Sequence, residues 1–435
     1  MLRNRKYFLG SILISLIFYL WGYFSLQYDF FPAFLIRTAI EYTLGSHRIL
    51  KSNTTSGGQR LGRSSHIDII KSIPYLGSAK TLSINNFKAK SFQPAMVFPG
   101  YNLYTTGSDD EACLIDNEGR LLHYWKYPRE KIIWRSPVEL RPKYRGWRSF
   151  WPLETLDLFV IYDYLGLARL DKKSRLKWVY KGGCHHDLWI TPDGNIYVLG
   201  SRHEKEAFYD NRLVVSDYII VLDLNGHERQ RIRLLDLILK SKYRFLLPSS
   251  EQLTEPYSLD PLHTNSIQVL DGNLVDKHSE LFKKGNILIS VRNLSSLFII
   301  DFQKQEIVWA WGPTNISFQH KARLLENGNI LLFDNGLKTS RVIELDPISQ
   351  KIVWQYKGIE EETFFSKLYG AAQRLPNGNT LIILSQQRKA IEVSPQKDIV
   401  WTYTLISDDN SNPLVLYELQ RYSSDYFINN LFDKY

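Results

Sequence analysis

His186 and His320 each stand eight residues ahead of the glycine of a Gly-Asn turn, Gly194 in CHHDLWITPDGN and Gly328 in FQHKARLLENGN. The chain holds only ten histidines in 435 residues, so a shared register for two of them is informative. Counted the same way from Gly378, the position falls on Gly370, which leaves open space where a third side chain would stand. His263, in DPLHTNSIQVL, begins a similar segment ahead of a longer turn. Arg292 of ISVRNL lies seven residues past Gly285, and Asn335 of FDNG occupies the corresponding place one unit later. If each turn reverses an extended strand, seven residues of return bring Arg292 back to the end where the histidines begin.

Three imidazoles and a guanidinium gathered at one end of a strand array suit an oxyanion. Arginine offers a planar fork of donors to sulfate or phosphate oxygens, and a neutral imidazole beside it serves as nucleophile or base. A three-histidine metal site is the competing chemistry, but a fixed guanidinium would repel the cation. Taken singly, each histidine is explained as well by a hydrogen bond within its own unit, and only the common register argues for a set. His185 and Asn335 complete the candidates as possible substrate contacts. His185 should face away from His186 and bond within its strand, with Asp187 sharing its face to orient that ring or cap the strand. Asn335 is equally accounted for by turn formation in Asp-Asn-Gly.

The elements that position these residues repeat. KGNILISVRNLSSLFIIDFQKQEIVWAWG (284–312), NGNILLFDNGLKTSRVIELDPISQKIVWQYKG (327–358) and NGNTLIILSQQRKAIEVSPQKDIVWTY (377–403) share one plan: a Gly-Asn turn, an apolar strand, a second strand and a strand ending in Ile-Val-Trp. Such a unit reads as a four-stranded propeller blade. Less regular copies begin at 101, 156 and 192, which makes six blades. The fold expected is all-β, a six-bladed β-propeller over residues 91–435 preceded by a single N-terminal transmembrane helix. The C-terminal NPLVLYELQRYSSDYF supplies a strand to close the ring. Trp178, Trp309, Trp354 and Trp401 fall between blades as core.

Composition is consistent with this organisation. The chain is 44% hydrophobic and 14% aromatic, enough to bury a sizeable core, and its net charge of +9 is scattered among 45 acidic residues. No basic stripe for nucleic acid emerges, whereas anionic small molecules or anionic lipid fit. Phe8 to Leu26 is uncharged and long enough to cross a bilayer, with Arg3, Arg5 and Lys6 before it. It reads as an uncleaved signal anchor, with residues 1–7 cytoplasmic and the propeller extracytoplasmic. Residues 27–90 then form a juxtamembrane segment and a flexible tether, SNTTSGGQRLGRSS at 52–65. Cys113 and Cys184 are the only cysteines, so they make one disulfide or remain as two core thiols.

At CHHDLWITPDGN, DPLHTNS, ILISVRN, FQHKARLLENGNILLFDNG, SRVIELDP, GAAQRLPNGNTLI and RYSSDY the sequence resembles the bacterial arylsulfate sulfotransferases, over most of residues 96–426. The resemblance implies a six-bladed propeller that moves a sulfuryl group from a phenolic sulfate ester to another phenol. It implies no cofactor, in particular no 3′-phosphoadenosine 5′-phosphosulfate, and the chain shows no P-loop. By the same resemblance His320 is the nucleophile that becomes a sulfohistidine, and His186, His263 and Arg292 are the remaining site members. One of His186 and His263 would protonate the departing phenolate. The family's N-terminal β domain, used in dimerisation, is replaced here by the anchor and tether, so oligomeric state does not carry over.

Two other functions fit the sequence. A membrane-tethered propeller binding an anionic ligand or protein would keep the same histidines without turnover. A quinone-cofactor dehydrogenase would need a tryptophan-docking signature and calcium ligands that the sequence does not display. The irregular KIIWRSPVELRPKYRGWRSFWPLE (131–154) forms a rim over the channel that would set substrate size.

Overall fold

The computed structural model describes residues 87–427 apart from 108, 133–145, 254–259, 359–363 and 407–414. The proposed span at Phe8–Leu26, the tether at 52–65 and most of the rim segment lie outside the described residues. Among those described, no helix is long and apolar enough to cross a membrane.

Six antiparallel sheets form the blades of a propeller. The second runs β5 (Trp147–Pro152), β6 (Leu158–Tyr162), β7 (Gly166–Leu170) and β8 (Leu176–Tyr180). The third comprises β9 (Cys184–Ile190), β10 (Ile196–Glu206), β11 (Arg212–Leu222) and β12 (Glu228–Arg233). A short helix α1 (Leu234–Lys240) follows it. The fourth holds β13 (Thr264–Val269), β14 (Ile287–Val291), β15 (Ser296–Asp301) and β16 (Glu306–Trp311). The fifth holds β17 (His320–Leu324), β18 (Ile330–Asp334), β19 (Arg341–Asp346) and β20 (Lys351–Tyr356). The sixth holds β21 (Ala371–Arg374), β22 (Thr380–Leu384), β23 (Lys389–Val393) and β24 (Ile399–Leu405).

The first blade is composite. Its strands β2 (Gly100–Thr106), β3 (Glu111–Ile115) and β4 (Leu121–Lys126) lie outside β25 (Leu416–Ser423), which takes the inner place that the first strand holds elsewhere. The expected closing strand is therefore present. A fifth strand, β1 (Phe87–Ser91), pairs with β24 and covers the outer edge of the sixth blade.

Middle strands are buried on both faces, as in Leu-Phe-Val-Ile-Tyr of β6 and Ile-Leu-Leu-Phe-Asp of β18, because each blade packs on two neighbours. Their apolar runs follow from that double burial. Each buried Leu or Ile stabilises the ring by about 1.5–3 kcal/mol. Tryptophans of the outer strands staple blade to blade. Trp125 donates to the Leu156 carbonyl, Trp178 to Leu224, Trp309 to Pro347 and Trp401 to Asn117, at 3.0, 3.0, 3.0 and 2.7 Å. Trp354 is the exception, its indole covered by the Arg374 guanidinium at 4.8 Å. At the closing seam Arg421 of β25 pairs with Glu392 of β23 in full burial.

The two cysteines belong to different seams. Cys113 of β3 sits beside Tyr104 and Tyr403, between the first and sixth blades, whereas Cys184 of β9 packs with Phe159 and Trp178, between the second and third. Both are free and buried, so the disulfide alternative fails: the second blade separates them. Burial pushes the Cys184 thiol up to about 12 and raises Cys113 still further, which keeps both unreactive.

Candidate active site

The inner strands carry a register shift near the same end in five of the six blades: at Tyr417 in β25, Arg148–Ser149 in β5, His185–Asp187 in β9, Asn265 in β13 and Lys321–Ala322 in β17. A bulge re-aims side chains that a regular strand would send alternately to its two faces. His186, His263 and Lys321 adopt left-handed backbone, with φ of 56°, 51° and 50°. Such non-glycine conformations cost about 1–3 kcal/mol each and persist where surrounding structure imposes them.

His186 and His263 meet edge to face, with ring centroids 4.8 Å apart. His185 does not face away as alternation predicts. The bulge turns both rings to one side, and their Nδ1 atoms lie 2.8 Å apart. Tyr164 stacks on His185 at 5.2 Å and meets His186 edge-on at 6.0 Å. Asp187 does not orient the His185 ring either. It accepts from Lys321 and Arg323, both at 2.8 Å, and from the Ile267 amide at 2.9 Å. The carboxylate facing His185 is instead Asp217, 3.6 Å from Nε2.

His320 is held by one nitrogen. Its Nδ1 lies 2.7 Å from Asn335 Oδ1 and 3.0 Å from the Phe318 carbonyl, both acceptors. The proton must therefore sit on Nδ1, which leaves a lone pair on Nε2, and that atom is buried without a partner among the described residues. Asn335 is fully buried, with its amide donating to the carbonyls of Ser366 at 2.6 Å and Tyr369 at 3.0 Å. Its oxygen and its amide are thus both engaged in holding the His320 ring to the chain at Ser366 and Tyr369. His263 is likewise fixed: its Nδ1 donates to Asp260 Oδ2 at 2.5 Å and its amide to Oδ1 at 3.0 Å. Arg292 lies over the Phe318 ring at 4.9 Å and donates to Asn293 at 2.7 Å. Gly370, expected to leave space, does not: a Cβ there would meet the Phe333 ring at 2.5 Å.

Electrostatics assign protonation states. Burial, then the Arg148, His263, His185 and His320 charges, hold His186 well below the ordinary histidine value. Burial also lowers His320 far more than its Asn335 bond raises it, with Arg148, Arg292 and His263 adding to the depression. Both rings are neutral near pH 7. Burial works against a proton on His185, but Asp217 outweighs it and favours the charged form. When charged, His185 donates through Nδ1 to His186 and leaves the His186 proton on Nε2. Burial would raise Asp260, yet its pairing with His263 holds the carboxylate below its usual range.

Beneath these rings Lys321 spans the channel, 2.8 Å from Asp187, 3.0 Å from Glu418 and 3.4 Å from Ser149. A cavity of about 240 Å³ opens on the far side of this floor, lined by Trp189, Arg323, Gln373 and Arg374 among others, and touches none of the histidines. Arg148, whose charge reaches both His186 and His320, was not apparent from the glycine turns. It stands eight residues ahead of Leu156, which supplies the left-handed turn residue, φ 62°, that glycine supplies in the third and fifth blades. Counting from LETLD as from the Gly-Asn turns would have found it.

The fold and site define a propeller whose axial mouth presents a neutral, oriented imidazole among guanidinium groups and further histidines. The chain belongs to the arylsulfotransferase (ASST) family, whose model matches residues 162–405, and is a sulfotransferase-like enzyme. Among curated proteins none matches the sequence. Similar solved structures include a protein of unknown function from Bacteroides caccae, 15% identical, covering 74% of this chain and 100% of that one with a TM-score of 0.46. A streptogramin B lyase is 10% identical, with 79% and 100% coverage and a TM-score of 0.43. Virginiamycin B lyase from Staphylococcus aureus is 9% identical, with 72% and 88% coverage and a TM-score of 0.41. At these scores nothing about activity transfers from them.

Proposed function

We propose that the enzyme moves a sulfuryl group from an aryl sulfate ester to a phenolic acceptor through a sulfohistidine on His320. The observation that carries this reading is the buried Nε2 of His320, unpartnered among the described residues, whose ring is fixed through Nδ1 by Asn335 and Phe318. In the first half-reaction the Nε2 lone pair attacks sulfur, the N–S bond forms and the bond from sulfur to the aryl oxygen breaks. The electron pair leaves with the phenolate, which takes a proton from His263. Asp260, bonded to Nδ1 of that ring, is a counterion at hand when the ring carries a proton for the leaving group, whereas burial and neighbouring charges keep His186 neutral. Arg292 and the Nε2–H of His186 balance charge on the sulfuryl oxygens. In the second half-reaction His263 removes the acceptor proton and the phenolate oxygen displaces Nε2, which gives a ping-pong cycle without a nucleotide donor.

The same reading places the propeller outside the cytoplasmic membrane on an uncleaved anchor at Phe8–Leu26, supported by the uncharged run and its basic flank. Protease added to sealed cells should release the propeller while residues 1–26 stay with the membrane. A propeller left protected would end the anchored reading.

Intact mass after incubation with p-nitrophenyl sulfate and no acceptor tests the chemistry. One sulfuryl group should be gained, lost on adding phenol, and absent in His320→Ala. No gain and no nitrophenolate release across a panel of sulfate esters would leave a binding propeller.

A further inference from the structure

Arg148 is 8% exposed, in the bulge of β5. Among the described residues no carboxylate, carbonyl or hydroxyl bonds its guanidinium. What touches it are two rings, Tyr369 at 4.5 Å and Tyr417 at 4.9 Å. Those rings are 5.3 Å apart and steeply inclined, so the guanidinium sits in the corner they make. Rings cover its faces and leave its N–H edge without acceptors. The Tyr369 ring in turn lies 6.5 Å from that of His320. Burial opposes the charge, but Asp163 and the neighbouring tyrosines favour it, and no hydrogen bond to Asp163 discharges the donors.

A buried guanidinium with unmet donors is costly, and here two tyrosines from different blades hold it in place. Its register matches that of His186 and His320, so β5 brings it to the same mouth by the same count of residues. Its charge also acts on Arg292, and an anion bound between two like charges relieves their repulsion.

We infer that Arg148 is a catalytic residue that, together with Arg292, binds the sulfuryl oxygens of the donor ester and of the His320 intermediate. This rests on the sulfuryl-transfer reading for its chemistry, though not for the anion site itself. Nothing is oxidised or reduced: the S–O(aryl) bond breaks as N–S forms, the sulfuryl oxygens keep their negative charge throughout, and Arg148 donates hydrogen bonds to them without losing a proton.

The test uses the full chain and the variants Arg148→Met, Arg148→Lys and His320→Ala, with inorganic sulfate binding by calorimetry and turnover of p-nitrophenyl sulfate. Loss of one oxyanion-binding donor typically slows turnover by about 10²–10³-fold, and the Met variant should show that fall in kcat together with sulfate binding weakened at least about tenfold. The Lys variant should recover part of both. Thermal stability of the ligand-free Met variant should hold or rise, since an unpaired buried charge has gone, and added sulfate should stabilise the unaltered protein but not that variant. Sulfate binding and turnover unchanged in Arg148→Met would overturn the assignment, as would a fall in its melting temperature that the Lys variant shares. If the unaltered chain turns over no sulfate ester yet binds sulfate through Arg148, sulfuryl transfer fails and the anion site stands.

Discussion

Lys321 and Asp187 meet at 2.8 Å, which ties the residue after His320 to the residue after His186 across the channel. Glu418, 3.0 Å from the same ammonium, adds a third blade. Removing one partner of a buried ion pair strands the other charge, so Lys321→Met should destabilise the protein by about 3–5 kcal/mol in urea unfolding. Adding Glu418→Gln should restore part of the loss. An unchanged midpoint for the single variant would show that the floor is not an energetic tie.

Asn335 fixes the His320 tautomer, and Asn335→Ala should lower kcat by about 10- to 100-fold, the size of effect found when the hydrogen-bond partner of a metal-bound histidine is removed. Asn335→Asp tests the same contact by charge. A carboxylate there raises the His320 pKa, so the acidic limb of the kcat/KM profile should move to higher pH. A limb that stays in place would separate His320 from the titrating nucleophile.

Asp260→Asn removes the carboxylate bonded to Nδ1 of His263, the acid proposed for the leaving phenolate. Esters of poor leaving groups depend on that proton most. The variant should therefore lose far more activity on phenyl sulfate than on p-nitrophenyl sulfate, and equal losses on both would remove His263 from the acid role.

His123, buried against Trp125 with ring centroids 4.3 Å apart, is lowered by burial to about 4. An unfolded chain protonates the same ring near pH 6.5, so the unfolded state binds the extra proton first as pH falls. Stability is complete above about 6.5 and declines between there and about 4, by about 3 kcal/mol for this ring alone. Unfolding at pH 7.5 and pH 4.5 should show a smaller acid loss in His123→Gln than in the parent. Identical losses would mean that this ring stays neutral in both states.

Thiol titration should detect no reactive cysteine in the native protein and both Cys113 and Cys184 after denaturation without reductant. Fewer than two would mean that a bond joins or blocks them.

Much of this was written in glycine. Wherever a Gly-Asn turn closes the first hairpin of a blade, counting back from it located His186 and His320, and the closing strand followed from an unpaired apolar segment at the C-terminus. The reading failed where local rules are overridden. His185 and Asp187 were assigned faces by alternation, but the bulge in β9 and the left-handed His186 reorder them. Arg148 stayed hidden because Leu156 makes its turn without glycine. The role of Asn335 depends on the carbonyls of Ser366 and Tyr369, about thirty residues further along the chain, and no local pattern encodes such a contact.

Strand β25 is the last described strand to be translated, and it carries both Glu418 of the channel floor and Tyr417 of the Arg148 corner. A nascent chain ending at the sixth blade would hold every candidate histidine yet lack a counterion for Lys321 and one wall around Arg148. Ring closure is thus also the moment of assembly for the site. A truncated or nicked product that lacks β25 is left without a complete mouth.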